Sequence, residues 1–330
     1  MDRLAQIGMR SRPSVGRVFP DGFGDPDLID QMSVPIDPHE ELRPVEIAWR
    51  ESLLEGPIRR TVGWFESPYA GLLPKRARRG VVELVEPAGG SDRVVLVYAS
   101  WGDESFRSRR LLARMLAGRG IASLLYMAPY HGPRRVHGGE LPIRTVADIC
   151  NQAFVAVREG RSLLAGFRQE AHVGVNGFSM GAGFSVVTSM LTPFPVALSM
   201  TTAAPSPART FTEGIIGSRL APSFDAAARA RLYDILDAPA ATRYEPLAHH
   251  AAAVIVSPTR DGFVDAEEAR ILHRHWPGSD LREVPGGHGS TWVFGKAGIA
   301  EAVDDAFHRT FGTDVADIGP KVGHRVDRTA

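Results

Sequence analysis

The stretch His172–Gly181, ending in Gly177-Phe178-Ser179-Met180-Gly181, limits what this chain can fold into more than any other. Val173 and Val175 alternate as in a short strand, and Gly181, Ala182 and Gly183 open a segment of helical character. A strand passes this abruptly into a helix only through a turn so sharp that its central residue is strained. A β-carbon two positions to either side would collide with the turn, and glycine at 177 and 181 removes both collisions. Ser179 is left on a tip above the sheet edge with its hydroxyl displayed. A bare G-x-S-x-G pattern recurs by chance; the strand before it and the helix after it make this one a nucleophile elbow.

The same rhythm of strand and helix extends to both sides. Arg60–Glu66 and Val81–Glu86 read as strands joined by a solvated basic loop. Val94–Ala99, Ile121–Met127, Pro195–Ser199 and Ala252–Val256 are short apolar runs, the mark of strands buried on both faces of a parallel sheet. Leu281–Val284 is a further strand. Helical spacing covers Ser105–Gly118, Thr145–Phe167, Ala266–Trp276 and Gly298–Phe311. The alternation points to an α/β fold: a mostly parallel central sheet of about eight strands with helices on both faces. The expected organisation is an N-terminal extension over 1–55 that packs on the core, a main domain over 56–312, and a tail over 313–330. Within the main domain, prolines at 205, 207, 222 and 239 break the pattern between 202 and 248. That stretch is too long for an ordinary connection and reads as a short helical cap.

A serine hydroxyl is a poor nucleophile near neutral pH, so it needs a base to take its proton and a third group to hold the base. The sequence supplies both after late strands, in the order serine, acid, histidine. Ala252–Val256 leads to Asp261, and Leu281–Val284 leads to Pro285-Gly286-Gly287-His288-Gly289. The glycines let a loop fold the His288 imidazole back over the strand ends. Asp265 competes with Asp261 for the acid, but it stands before Ala266-Glu267-Glu268 as a helix N-cap would. An oxyanion needs donors as well. The backbone N–H of Met180, next to the serine, is one. The loop Ser100-Trp101-Gly102-Asp103 offers the other, with Trp101 ahead of Gly102.

Other features exclude rather than point. The 330 residues carry 38 basic and 38 acidic side chains, a balance that gives no general attraction to nucleic acid. The N-terminus lacks the apolar core of a secretory signal, and no run is long enough to span a bilayer, so the expectation is a soluble, cytoplasmic chain. The lone cysteine, Cys150, sits in an apolar-periodic stretch and reads as a buried thiol. His249-His250 and His273-x-His275 invite a metal, but no carboxylate–histidine spacing completes a site; neither metal nor cofactor is expected. Gly286-Gly287 lacks the strand-to-helix context of a phosphate loop. Tyr130 and His131 follow a strand end, where they could line the substrate site or serve the loop alone.

From Phe65 to Phe311 the chain resembles the α/β-hydrolase-domain-containing protein 18 family. The resemblance rests on Trp101-Gly102-Asp103 with Arg109-Arg110, on Ala122-Ser123-Leu124-Leu125 running to Pro129-Tyr130-His131-Gly132, and on the elbow. It continues through Trp276-Pro277-Gly278 and Gly286-Gly287-His288. It implies the α/β-hydrolase fold, with Ser179 as nucleophile and His288 as base, and no particular substrate. Two readings follow. One is a serine hydrolase that cleaves a small or lipid-like carboxylic ester, with an amidase, peptidase or acyltransferase using the same triad. The other is a binding protein that keeps the fold without the reaction.

Overall fold

The computed structural model describes residues 17–30, 34–138 and 141–312. The expected tail over 313–330 and the first 16 residues of the expected extension lie outside them. The apolar runs become a ten-stranded sheet. In chain order its strands are β1 (Ala48–Trp49), β2 (Leu53–Glu55), β3 (Ile58–Glu66), β4 (Arg79–Pro87) and β5 (Arg93–Val97). They continue as β6 (Ala122–Met127), β7 (His172–Phe178), β8 (Ala197–Thr201), β9 (Val254–Pro258) and β10 (Asp280–Val284). The helices are α1 (Pro26–Asp30), α2 (Arg107–Ala117), α3 (Val146–Phe167), α4 (Met180–Met190), α5 (Ala208–Thr212), α6 (Gly214–Gly217), α7 (Ala226–Asp237), α8 (Ala266–His275), α9 (His288–Phe294) and α10 (Lys296–Phe311).

The sheet runs β1-β3-β4-β6-β5-β7-β8-β9-β10, with β2 on β3. From β6 to β10 all pairs are parallel, while β1 to β4 form an antiparallel margin. The α/β architecture is therefore as read, with two short strands beyond those expected. Both extra strands, β1 and β2, lie in the segment read as an extension, where they are too short to show a two-residue alternation. Strands β8 and β9 start two residues later than their apolar runs suggest. Pro195 cannot donate to a ladder, and a 3₁₀ turn over Ala248–Ala252 occupies the front of the second run.

Helices α3, α4 and α8 pack on one face of the sheet and α2 and α10 on the other. The strands between them are apolar on both sides; every residue of β6 is buried. The long helix α3 begins at a capping box, in which Thr145 Oγ1 accepts from the Asp148 N–H and Asp148 Oδ2 accepts from the Thr145 N–H. A third apolar cluster lies above the sheet's carboxyl edge. There Phe19 stacks on Phe211 at 5.6 Å and Phe23 lies 5.1 Å from Phe224, so the N-terminal segment and helices α5–α7 share one core. Val18 pairs with Leu220 by backbone bonds on both sides.

The chain leaves β5 toward β6 on one side and returns to β7 on the other. Where the winding reverses, the connections diverge and leave a crevice at the carboxyl ends of β5 and β7, the place where open α/β sheets bind ligands. The loop after β5 begins toward Trp101, and the turn after β7 is Ser179.

Candidate active site

Ser179 sits at φ 58°, ψ −122°, a conformation few side-chain-bearing residues adopt, at the junction of β7 and α4. Its neighbours permit it. A β-carbon at 177 would lie 2.0 Å from the Gly181 carbonyl oxygen, and one at 181 would lie 2.9 Å from the Ala99 carbonyl oxygen. The Ser179 N–H donates both to the Thr201 carbonyl, at 3.1 Å, and to Thr202 Oγ1, at 3.0 Å. Thr202 is itself at φ 61°, so the end of β8 is bent to clamp the elbow. Nothing in the sequence marks Thr202 for this role; a threonine after a strand is unremarkable until its neighbour is known.

His288 opens α9 after Gly286 and Gly287, and the φ of +132° at Gly286 is what turns the chain back over the sheet. Its Nε2 lies 2.9 Å from Ser179 Oγ and its Nδ1 lies 2.7 Å from Asp261 Oδ2. A carboxylate only accepts, so Nδ1 carries the proton and Nε2 is free to accept from the serine hydroxyl. The ring is held between Phe178 and Phe263, with centroids 4.8 and 4.9 Å away. Asp261 in turn is fixed by the N–H groups of Phe263 and Val264 on Oδ1, at 2.8 and 3.0 Å. Asp265 accepts from the Glu267 N–H and caps α8. The structure thus brings Ser179, His288 and Asp261 into one hydrogen-bonded line and sets Asp265 aside.

Among the described residues, neither the Met180 nor the Trp101 N–H donates to another protein group. The Gly102 N–H points instead at Nε2 of the buried His131, 3.3 Å away. The loop is fastened from beneath. Asp103 Oδ2 accepts from Arg109 Nε at 2.8 Å, and the buried Arg109 also donates to the Val97 and Tyr126 carbonyls. Glu104 accepts from the Gly132 N–H at 2.6 Å and pairs with Arg135 at 2.8 Å. This is why Trp-Gly-Asp, Arg109 and the Pro129–Gly132 segment occur together: they are one built loop.

Of the two readings open for Tyr130 and His131, lining the site or serving the loop alone, their placement fits the loop. Both are fully buried and absent from the cavity walls. The Tyr130 hydroxyl accepts from Asn151 at 3.0 Å, and His131 Nδ1 lies 2.8 Å from Gln152 Nε2. Following a strand end placed them near the crevice, but the 3₁₀ turn Gly132–Arg134 tucks them under it. Burial pushes the Cys150 thiol up to about 12, which removes it as a nucleophile near neutral pH.

A cavity of about 140 Å³ opens from Ser179. Its floor is one face of α4, where Met180, Gly183, Phe184 and Val187 recur at helical spacing. One side is α3, through Ile149, Ala153, Phe154 and Val157, and the other is the 204–239 segment. The lining is almost wholly apolar.

The sheet order and the strained elbow at its switch point define an α/β-hydrolase. Solved structures of the same fold include acetyl xylan esterase 1 from Thermoanaerobacterium sp. JW/SL YS485, 11% identical, with a TM-score of 0.55 over 91% of this chain and 98% of that one. Another is a cold-adapted esterase from an Arctic intertidal metagenomic library, 15% identical, with a TM-score of 0.51 over 78% of this chain and 99% of that one. At such identities the likeness is one of fold. A search among curated proteins finds no match by sequence. The family model of alpha/beta hydrolase domain containing 18 matches residues 16–227 and 223–309, and the chain belongs to that family.

Proposed function

We propose that this α/β-hydrolase cleaves carboxylic esters with an apolar acyl group through an acyl-enzyme on Ser179. The observation that carries the reading is the line Ser179–His288–Asp261, at 2.9 and 2.7 Å, set at the mouth of an apolar cavity. Ser179 Oγ attacks the ester carbonyl while His288 Nε2 takes its proton. The carbonyl oxygen becomes an oxyanion held by the N–H groups of Met180 and Trp101, and loss of one such donor typically costs about 10²–10³ in turnover. His288 then gives its proton to the departing alkoxide, and the alcohol leaves. Water enters, loses a proton to the same nitrogen and attacks the acyl carbon; the proton returns to Ser179 Oγ as the acid is released. Asp261 holds the imidazole in the tautomer that makes both transfers possible. In this reading helices α5–α7, within 202–248, act as a cap that forms the roof over the acyl group.

The test is labelling with a serine-reactive fluorophosphonate, together with hydrolysis of p-nitrophenyl esters. The expected result is labelling and turnover by the wild type and neither by Ser179→Ala. Equal labelling of Ser179→Ala overturns Ser179 as the nucleophile, and a folded wild type that reacts with no probe overturns the proposal in favour of a binding protein.

A further inference from the structure

The acyl cavity has two ends, and only one of them is chemical. Thr188 Oγ1 lies 3.5 Å from the Val157 carbonyl, so the Val187 end of α4 and the Val157–Arg158 level of α3 stand together. Met180 and Val187 are seven residues apart, which puts this far end about 10 Å along the helix from the elbow. Val34 and Ile36, on the chain that precedes β1, also line the cavity, and four residues past Ile36 that chain reaches Arg158 at this level.

That segment is fastened at Ile36 and again beyond it. The Ile36 N–H donates to the Tyr244 hydroxyl at 3.2 Å. Four residues on, Glu40 receives a forked pair from Arg158, with Nε at 2.8 Å and Nη2 at 2.7 Å, and Arg161 donates to the Pro38 carbonyl at 3.0 Å. Arg158 is 4% exposed, and its guanidinium lies 3.6 Å over the Phe154 ring. A forked pair on a buried guanidinium holds geometry as well as charge. It also settles the polarity of the cavity's end. Arg158 reaches the lining with its charge already matched by Glu40, so among the described residues the far end offers hydrocarbon and no spare cation for a second carboxylate.

We propose that residues 34–40 are a strap, latched by Glu40 on Arg158, whose Val34 and Ile36 side chains form the far wall of the acyl cavity and set the longest straight acyl chain accepted. The inference rests on the ester-hydrolase reading and adds to it the part of the chain that measures the substrate. Side chains that bound a hydrophobic pocket discriminate at about 10–200-fold for a methylene or so, which is the scale expected here.

The experiment measures the ratio of kcat/KM for p-nitrophenyl decanoate to that for p-nitrophenyl butyrate in wild type, Ile36→Ala and Val34→Trp. Thermal midpoints check that each variant is folded. Ile36→Ala removes part of the wall and is expected to raise the ratio about 10-fold. Val34 is 50% exposed, so tryptophan is tolerated there, and its larger ring in the wall is expected to lower the ratio by a similar factor. A ratio within about twofold of wild type in both variants overturns the strap as a chain-length wall. Alkyl fluorophosphonates with short and long alkyl arms read the same ratio as labelling rates without requiring an ester to turn over. If the wild type labels at Ser179 but hydrolyses neither ester, the ester reading fails while the labelling ratio still decides on the strap. If Ser179→Ala hydrolyses both esters as well as wild type, the reading of the site fails whatever the ratios do.

Discussion

Helix α4 carries a serine–histidine contact at each end. At its start Ser179 Oγ lies 2.9 Å from His288 Nε2, and in its last turn Ser189 Oγ lies 3.0 Å from His250 Nε2. The distances barely differ; the direction of the hydrogen bond does. Asp261 accepts the hydrogen bond of the His288 Nδ1–H and leaves Nε2 bare to accept in turn. At the other end His250 Nδ1 accepts from the Leu247 N–H, so Nε2 carries the proton and donates to the serine. Ser189 has already committed its own proton to the Val186 carbonyl at 2.7 Å. His250 lies flat on Trp276, at 4.3 Å and 1° between planes, among the described residues without a carboxylate partner. Ser189 is fully buried and lines no part of the cavity. One pair is poised to move a proton; the other is spent on holding α4 to the turn before β9. Proximity of serine to histidine therefore says little until the far nitrogen of the ring is accounted for.

The sharpest way to break this comparison is to remove each serine. Ser179→Ala and His288→Ala are expected to lower kcat by about 10⁴–10⁶-fold with the fold retained. Ser189→Ala is expected to leave kcat within a few-fold and to lower stability by about 1 kcal/mol, the scale of a buried hydrogen bond. Ester kinetics and urea unfolding on the three variants decide it. A loss at Ser189→Ala comparable to that at Ser179→Ala would mean that the two ends had been assigned the wrong way round.

The acids give the next largest contrast. Asp261→Asn keeps the shape but can present an N–H to His288 Nδ1, which favours the wrong tautomer, and a loss of about 10⁴-fold in kcat is expected. Asp265→Asn replaces one good N-cap by another and should change kcat less than about 10-fold. If Asp265→Asn is the more damaging variant, the carboxylate that orients the base is not Asp261.

Much of this architecture was legible in the sequence, and the reasons are local. Gly177 and Gly181 announce a turn whose collisions can be worked out without the rest of the molecule. The apolar runs that became β5 to β9 declare themselves because both of their faces are buried. His288 was marked by flanking glycines and Asp261 by its place after β9, with Asp265 excused as a cap. What could not be read depends on long-range placement. Tyr130 and His131 stand at a strand end as substrate-lining residues would, yet the turn after them carries both beneath the loop. Thr202, Glu40 and Ile36 gain their positions from partners 23, 118 and 208 residues away, at Ser179, Arg158 and Tyr244. No periodicity encodes such contacts.

The smallest expected effect concerns stability rather than turnover, and it probes the inert end of α4. Burial depresses the His249 pKa to about 4 and the His250 pKa to about 3, each from an ordinary 6.5. Three cationic or potentially cationic neighbours matter here: the two histidines face each other at 4.6 Å, and His275 adds to the field on His250. The remaining partners are neutral, namely Ser189, the Leu247 N–H and the Trp276 ring. In the unfolded chain both histidines take up protons as pH falls through about 6.5; in the folded protein they stay neutral until much lower pH. The unfolded state therefore binds more protons in this window, and stability falls with falling pH. The contribution is fully present above pH 6.5 and is lost progressively toward pH 4 and below, with a slope of about 1 kcal/mol per pH unit for each histidine. Urea unfolding of wild type and His250→Gln between pH 7.5 and 4.5 isolates the term, because carboxylate titration is common to both proteins. The wild-type curve should fall more steeply as the pH drops through 6.5, whatever constant offset the substitution introduces. Parallel curves would mean that His250 is no less basic folded than unfolded, and that the buried, neutral, proton-donating ring on which the contrast with His288 rests is wrongly drawn.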